Sequence, residues 1–305
     1  MDQKDISNTN ENKYYPINST NTDNMNVVPP DTIKKLKEIV NQADILELEV
    51  VSSLSNLKGI KITINALGMT ENSKRKAFDG NTFFGYLGEE NESNINDNNE
   101  IDFVLKPKDI IENNKIFGRY FRIRYDLNTM GYLIKYLECG FGTFKKITEK
   151  TKLRDCYLIN MGNSYIVCSF GVDELNLSET NIVDADKILN IKVYSDFQNA
   201  ELHFFNPQQF KKIYIGRDAS CNIIVDDTLL SRIHCTIEYK EGIGEGWYIS
   251  DGRADDELYE EKPSTNGTWL CLMEETPIKD GMIFKSNQNQ FKCHIIKHKK
   301  NTQKE

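Results

Sequence analysis

The sequence predicts an all-β protein of two tandem antiparallel β-sandwiches, preceded by a disordered tail and one short helix. The first observation is a run of short segments from Gly59 onward, such as GIKITINAL, YFRIRYD and GYLIKYLE, which Gly, Asn and Asp turns separate. The second observation is a similar run from about Ile188, with KIYIGRD, IHCTIEY and GWYISD. Many short strands at this spacing are typical of a sandwich or barrel.

The third observation is that the two runs repeat the same order of pieces. Residues 120–147 and 234–272 each contain a strand, a glycine turn, a second strand and then a Gly-Thr-aromatic corner. Repetition on the scale of a whole domain predicts two related domains in one chain.

The elements before the first sandwich are a tail and a helix. Residues 1–30 are polar and Asn-rich almost throughout, which predicts disorder. Residues 31–48 predict one amphipathic helix, because prolines and Asp31 or Thr32 mark its start and apolar residues follow at helical spacing. The first sandwich is expected over 59–171.

The second sandwich is expected over 188–298, after an acidic and polar linker at 172–187. A short basic tail, 299–305, ends the chain and is expected to lie in solvent. Within the first sandwich, residues 90–100 are too polar to pack and predict a mobile loop.

The charge and cysteine content narrow the class of protein. The formal net charge of -8 disfavours a general nucleic-acid or anionic-membrane surface. The polar first 26 residues predict no secretory signal, and no apolar run approaches the roughly 18 residues of a membrane span. The seven cysteines are scattered singly, which favours reduced thiols in the cytoplasm or nucleus and no zinc site.

Three loops of the second run contain the candidate binding residues. YIGRD places Arg217 directly after a strand, LLSRIH opens another strand, and PSTNGTW contains the strong turn signal Asn-Gly. At one end of an antiparallel sandwich such loops cluster, so an arginine, hydroxyls, an amide and turn N–H groups would converge. This donor-rich set has no carboxylate at its centre and suits a tetrahedral oxyanion.

The same residues allow other interpretations. Ser231 and His234 could be a nucleophile and its base, but residues three apart on a strand point to opposite faces and no third orienting group lies nearby. Arg217 could pair with Asp218 or Asp226 at the surface. No phosphate-binding glycine loop, dinucleotide fingerprint or kinase signature occurs, so no catalytic residue, metal or other cofactor is expected.

The motifs Gly-Arg, Ser-x-x-His and Ser-Thr-Asn-Gly-Thr, in this order, resemble those of the forkhead-associated (FHA) domain, a module that reads phosphothreonine in partner proteins. The resemblance covers 188–298, about a third of the chain. It implies a β-sandwich whose loops at one end hold the phosphate. The longer, acidic stretch 252–263 departs from the family pattern, and it either folds over the peptide groove or extends into solvent.

The resemblance also implies a role for each matched residue. Arg217 and Ser231 would bind the phosphate, and Arg232 would add positive charge. Thr265 would reach the phosphate or line a pocket for the threonine methyl group, and Asn266 would hold the peptide backbone. Three further residues would support the architecture of the loops: Gly216, His234 and Gly267.

The first run keeps the strand pattern but lacks these groups. Apolar, aromatic or glycine residues stand at the matching positions. Aligning the two runs on IRY and IEY places Phe117 opposite Ser231, Gly118 opposite Arg232 and Tyr120 opposite His234. Aligning the glycine corners places Gly140 and Phe141 opposite Thr265 and Asn266, and aligning FFGYL with YIGRD places Tyr86 opposite Arg217. We therefore expect a degenerate FHA-like sandwich without phosphothreonine affinity.

Taken together, these features predict a non-catalytic intracellular adaptor that binds a phosphothreonine-containing protein, with no nucleic-acid or membrane partner. The alternative is a structural component of a larger cytoskeletal or ciliary assembly, in which the sandwiches serve as docking surfaces.

Overall fold

The computed structural model describes residues 28–88, 101–107, 117–171, 185–196, 198–254 and 262–298. The predicted basic tail and mobile loop, nearly all of the predicted N-terminal tail and most of the predicted linker lie outside these residues. None of the described helices is long and apolar enough to cross a membrane.

The one α-helix of the described residues, α1, spans Pro30–Ile39 and is shorter than predicted. Residues 45–48, expected to continue it, belong instead to strand β1, Ile45–Ser53. The segment ILELEVV alternates apolar and acidic residues, so a strand buries Leu46 and Leu48 on one face while the glutamates lie on the other. Pairing with a strand on each side then favours the extended form over a helix.

The other strands are short, as expected. Those before the linker are β2 Lys61–Ile64, β3 Asn81–Tyr86, β4 Phe103–Val104, β5 Gly118–Asp126, β6 Gly131–Tyr136, β7 Thr143–Lys146, β8 Thr151–Lys152, β9 Tyr157–Met161 and β10 Ser164–Phe170.

After a 3-10 helix at Ala185–Lys187, the second series follows. It comprises β11 Leu189–Ser195, β12 Gln198–Phe205, β13 Lys212–Gly216, β14 Ile223–Ile224, β15 Cys235–Lys240, β16 Gly246–Asp251, β17 Thr268–Cys271, β18 Thr276–Pro277, β19 Ile283–Ser286 and β20 Asn289–Ile296.

These strands form one long sheet and two short ones. The long sheet has ten strands in the order β12-β11-β10-β9-β17-β7-β19-β20-β1-β2. The short sheets have five strands each, β14-β13-β15-β16-β8 and β18-β6-β5-β3-β4. Each short sheet shares a core with one half of the long sheet, so the predicted all-β fold of two sandwiches is confirmed.

The two sandwiches exchange strands. The first core contains side chains of β1 to β6 together with Phe284 and Phe291 of β19 and β20. The second core contains side chains of β11 to β17 together with Ile159 and Ile166 of β9 and β10. Strands β8 to β10 therefore complete the second sandwich, and β18 to β20 complete the first.

This exchange differs from the expected division into 59–171 and 188–298, in which each sandwich is one continuous segment. Each core instead contains side chains from both parts of the chain, and the first already includes Leu36 of α1 and strand β1, before residue 59. Strands β10, β19 and β20 alternate between buried and half-buried side chains, but such alternation indicates only the face that a strand buries and not the sandwich that it joins. The two halves of the long sheet meet where β7 pairs with β17, with Lys145 opposite Leu270.

Candidate functional site

The loops after β13, before β15 and before β17 meet at one end of the second sandwich. Strands β13 and β15 pair antiparallel with Ile215 opposite Cys235, which brings Arg217 beside the Ser231 segment. The Arg217 N–H donates to the Ser231 carbonyl at 3.3 Å. A Cβ on Gly216 would lie 2.2 Å from the Arg232 carbonyl oxygen, so only glycine allows the two loops to approach this closely.

Two hydroxyl groups lie together at this end. The Thr265 N–H donates to Ser231 Oγ at 3.0 Å, and the two hydroxyl oxygens are 3.4 Å apart. Ser231 is half-buried and Thr265 is exposed. A partner placed over the loops would therefore meet both side chains.

Asn266 connects two of the loops. Its Nδ2 donates to the Leu229 carbonyl at 2.7 Å, which ties the turn before β17 to the loop before β15. Asn266 is exposed, so the side chain borders the site from the surface. Its expected contact with a peptide backbone stays a prediction.

His234 lies beneath the loops and contacts two of them. Its Nδ1 accepts the Ser231 N–H at 3.1 Å, and its Nε2 lies 3.1 Å from the Gly267 carbonyl oxygen, to which an Nε2–H donates. Burial lowers the pKa of His234 from its ordinary value of 6.5, which favours this neutral form. The imidazole contacts the backbone of Ser231 rather than its hydroxyl, and this matches the expected supporting role better than that of a base.

Asp251, which sequence reasoning missed, organises the turn before β17. Its Oδ1 accepts hydrogen bonds from Ser264 Oγ and Thr268 Oγ1, both at 2.7 Å. Ser264 Oγ in turn accepts the Gly267 N–H at 2.9 Å. The position of Asp251 at the end of the WYISD strand, directly before Gly252, was the only signal in the sequence.

Arg217 and Arg232 supply the positive charge of the site, and both are exposed. The pKa of Asp218 is lowered, mainly because the Ser220 N–H donates to its carboxylate, and also because the charges of Arg232 and Arg217 lie nearby. Among the ion pairs within the described ranges, none involves either arginine. The surface ion pair considered for Arg217 is therefore not formed there.

The matching end of the first sandwich is aromatic. Phe84 pairs with Phe121 in the first sandwich as Ile215 pairs with Cys235 in the second, which places Tyr86 at the position of Arg217. Tyr86 is buried, and its ring centroid lies 5.7 Å from that of Phe117. This packing favours the predicted loss of phosphothreonine affinity, which stays a prediction.

Across the part of the chain that the structure describes, no group of three or more His, Cys, Asp and Glu side chains could hold a metal ion. A β-sandwich whose loops at one end carry arginine, hydroxyl and amide groups has the donor chemistry that suits an oxyanion. Residues 213–285 match the family model of the FHA domain, so the chain carries an FHA domain in its C-terminal part, as the motifs predicted. No curated protein matches the chain.

Proposed function

We propose that this protein is a non-catalytic adaptor that binds a phosphothreonine-containing protein through its FHA domain. The observation that carries the proposal is the cluster of Arg217, Arg232, Ser231 and Thr265 on the loops at one end of the second sandwich. The nearby Asp218 carboxylate accepts the Ser220 N–H. Such a module recruits a partner only after a kinase has modified it. We place the adaptor inside the cell, in the cytoplasm or nucleus, in keeping with its free cysteines.

Each side chain has a distinct part in phosphate binding. The guanidinium group of Arg217 presents paired N–H donors that fit two phosphate oxygens, and Arg232 adds a second positive charge. Ser231 Oγ accepts the Thr265 N–H, so its own hydrogen can turn toward a phosphate oxygen. Asn266 lies at the rim of the site, where a peptide backbone would cross.

The site should distinguish phosphothreonine from its mimics. A phosphate group carries about -1.5 to -2 charges and three acceptor oxygens, whereas a glutamate carries one charge in a planar group. A glutamate would therefore leave several of the converging donors without partners. The resemblance to the FHA family further implies that phosphoserine binds more weakly than phosphothreonine.

The test is a phosphopeptide library screened against the full chain. The strand exchange makes the full chain the right sample, because a fragment of 188–298 lacks β8 to β10. The best peptide is then measured by calorimetry in four forms, with phosphothreonine, phosphoserine, threonine or glutamate at the central position. Equal affinity for the glutamate and phosphothreonine forms would refute a specific phosphate site.

The second candidate, a docking component of a larger cytoskeletal or ciliary assembly, is favoured by a different observation. Neighbouring strands β11 and β12 carry Tyr194, Leu202 and Phe204, which are 40%, 50% and 47% exposed. Exposed apolar side chains in one region are typical of a protein-interaction surface. A library in which no phosphothreonine peptide binds would favour this candidate over the adaptor.

A further inference from the structure

The loop that carries Ser231 rests on a buried carboxylate. Asp227 is 2% exposed, and its Oδ1 accepts the Leu229 N–H at 2.9 Å. Its Oδ2 accepts the Asn163 N–H at 2.7 Å and the Ser164 Oγ–H at 2.9 Å. A buried carboxylate with three donors fixes the backbone around it, since losing a donor leaves part of the charge uncompensated.

Two of these donors come from the turn between β9 and β10, in the exchanged hairpin that precedes the linker. A Cβ added to Gly162 in this turn would lie 2.8 Å from Asp227 Oδ2 and 3.1 Å from Leu229 Cβ. The turn and the loop are therefore in close contact, and a side chain at Gly162 would separate them.

The turn is itself held firmly. The buried Asn160 donates from Nδ2 to the Ser164 carbonyl at 3.1 Å and accepts from Lys285 Nζ at 2.5 Å. Lys285 Nζ also lies 4.6 Å from the centroid of the Trp269 ring, whose Nε1–H donates to the Asn266 carbonyl at 2.9 Å. These contacts connect the turn between β9 and β10 with the turn that carries Asn266. The network therefore contains side chains from before and after the linker.

On its outer side the same loop contacts a candidate binding residue. The Leu229 carbonyl accepts the Asn266 amide at 2.7 Å, and Ser231 follows two residues later. The loop is therefore held from below by Asp227 and from above by Asn266. A change below the loop can reach the candidate phosphate-binding Ser231 through the three residues between Asp227 and Ser231.

We propose that Ser164 and Asp227 are positioning residues for phosphothreonine, and that the hairpin turn before the linker is part of the site in the FHA domain. This inference rests on the proposed function. The family match begins at residue 213, well after Ser164 in the sequence. Loss of the Ser164 contact lowers the fraction of molecules whose loop has the binding shape, and apparent affinity falls by that fraction.

The first measurement compares variants of the full chain. Ser164→Ala should raise the Kd for the best phosphopeptide about three- to tenfold, because one donor to the buried carboxylate is lost. The matched control is Asn289→Ala, at the same position of the other exchanged hairpin, where Asn289 Oδ1 accepts the Ser53 hydroxyl at 2.6 Å. This control should lower the thermal midpoint while the Kd stays within about twofold, since it does not touch the site.

The second measurement needs no ligand. Hydrogen exchange of peptides covering 226–233 should be faster in Ser164→Ala than in wild type, and unchanged in Asn289→Ala. An unchanged Kd in Ser164→Ala overturns the positioning role whatever the exchange data show. If wild type binds no phosphopeptide, the proposed function fails. In that case, unchanged hydrogen exchange of 226–233 in Ser164→Ala overturns this inference separately. Faster exchange in that variant supports the inference that the turn fixes the loop.

Discussion

The strand exchange makes a strong prediction about a chain cut at the linker. A protease site inserted within 172–184 and cleaved after folding should leave the two parts bound to each other. Among the described residues, eleven buried side chains cross between the parts: Ile147, Leu153, Ile159, Met161, Ile166 and Cys168 in the second core, and Leu272, Ile278, Phe284, Phe291 and Cys293 in the first.

The structure gives a rough size for this association. Burying an apolar side chain of this kind contributes about 1.5–3 kcal/mol, so eleven contribute roughly 16–33 kcal/mol before other terms. Association opposes this with about 4–15 kcal/mol of lost freedom. At the middle of both ranges the balance is roughly 15 kcal/mol, which corresponds to a nanomolar or tighter Kd.

The assay is size-exclusion chromatography with mass detection of the cut protein at about micromolar concentration, well above such a Kd. The expected result is a single species with the mass of the intact chain in native buffer, and two fragments in denaturant. The intact chain without the inserted site, treated with the same protease, is the control. Separation of two folded fragments in native buffer would refute the exchange, because continuous sandwiches would share only the β7–β17 edge.

Three further predictions concern the site. Arg217→Ala should weaken phosphopeptide binding at least tenfold, since truncating a charge-assisted contact typically costs about 2–5 kcal/mol. The control is Arg154→Ala, which removes an exposed arginine paired with Glu274. Unchanged affinity of Arg217→Ala by calorimetry would remove Arg217 from the site. Calorimetry should also give one peptide per chain, because the first sandwich has Tyr86 in place of the arginine, and two sites of similar affinity would contradict this. Burial lowers the pKa of His234, so the contribution of the neutral imidazole to the free energy of unfolding is complete above pH 6.5, the ordinary pKa. This contribution is lost as the pH falls toward the lower pKa of the folded state. Urea unfolding from pH 7.5 to 5 should show this loss, and a His234→Gln variant with the same slope would rule His234 out as its source.

Local pattern was sufficient for the class of fold, and the motifs that it marked lie on three loops that meet at one end of the second sandwich. Alternation of apolar and polar residues predicts strands because successive side chains on a strand point to opposite faces. The approach of Gly216 to the Arg232 carbonyl and the position of His234 between Ser231 and Gly267 agree with the supporting roles that the FHA resemblance implied. Such motifs are readable because each depends on a few residues close together in sequence.

Pattern was insufficient where two structures compete for one segment. Leu46 continues the helical spacing of Val40 and Ala43, but it also begins the alternating Leu46, Leu48 and Val50 of β1, which pairs with β2 and β20 as a strand. The helix prediction over 31–48 failed at its C-terminal part for this reason. A segment with two available pairing partners becomes extended, because the sheet satisfies its backbone and buries one face.

Only the tertiary structure decided which strands complete which sandwich and what lies beneath the site. Ser164 and Asp227 are separated by the linker and by the four strands β11 to β14, and nothing in either local sequence indicates that they meet. The alternation within β10 and within β20 does not specify a sandwich, so the destinations of the two exchanged hairpins depend on the packing and pairing of the whole chain. Sequence periodicity determines the face that a strand buries, whereas long-range packing determines the core in which that face lies.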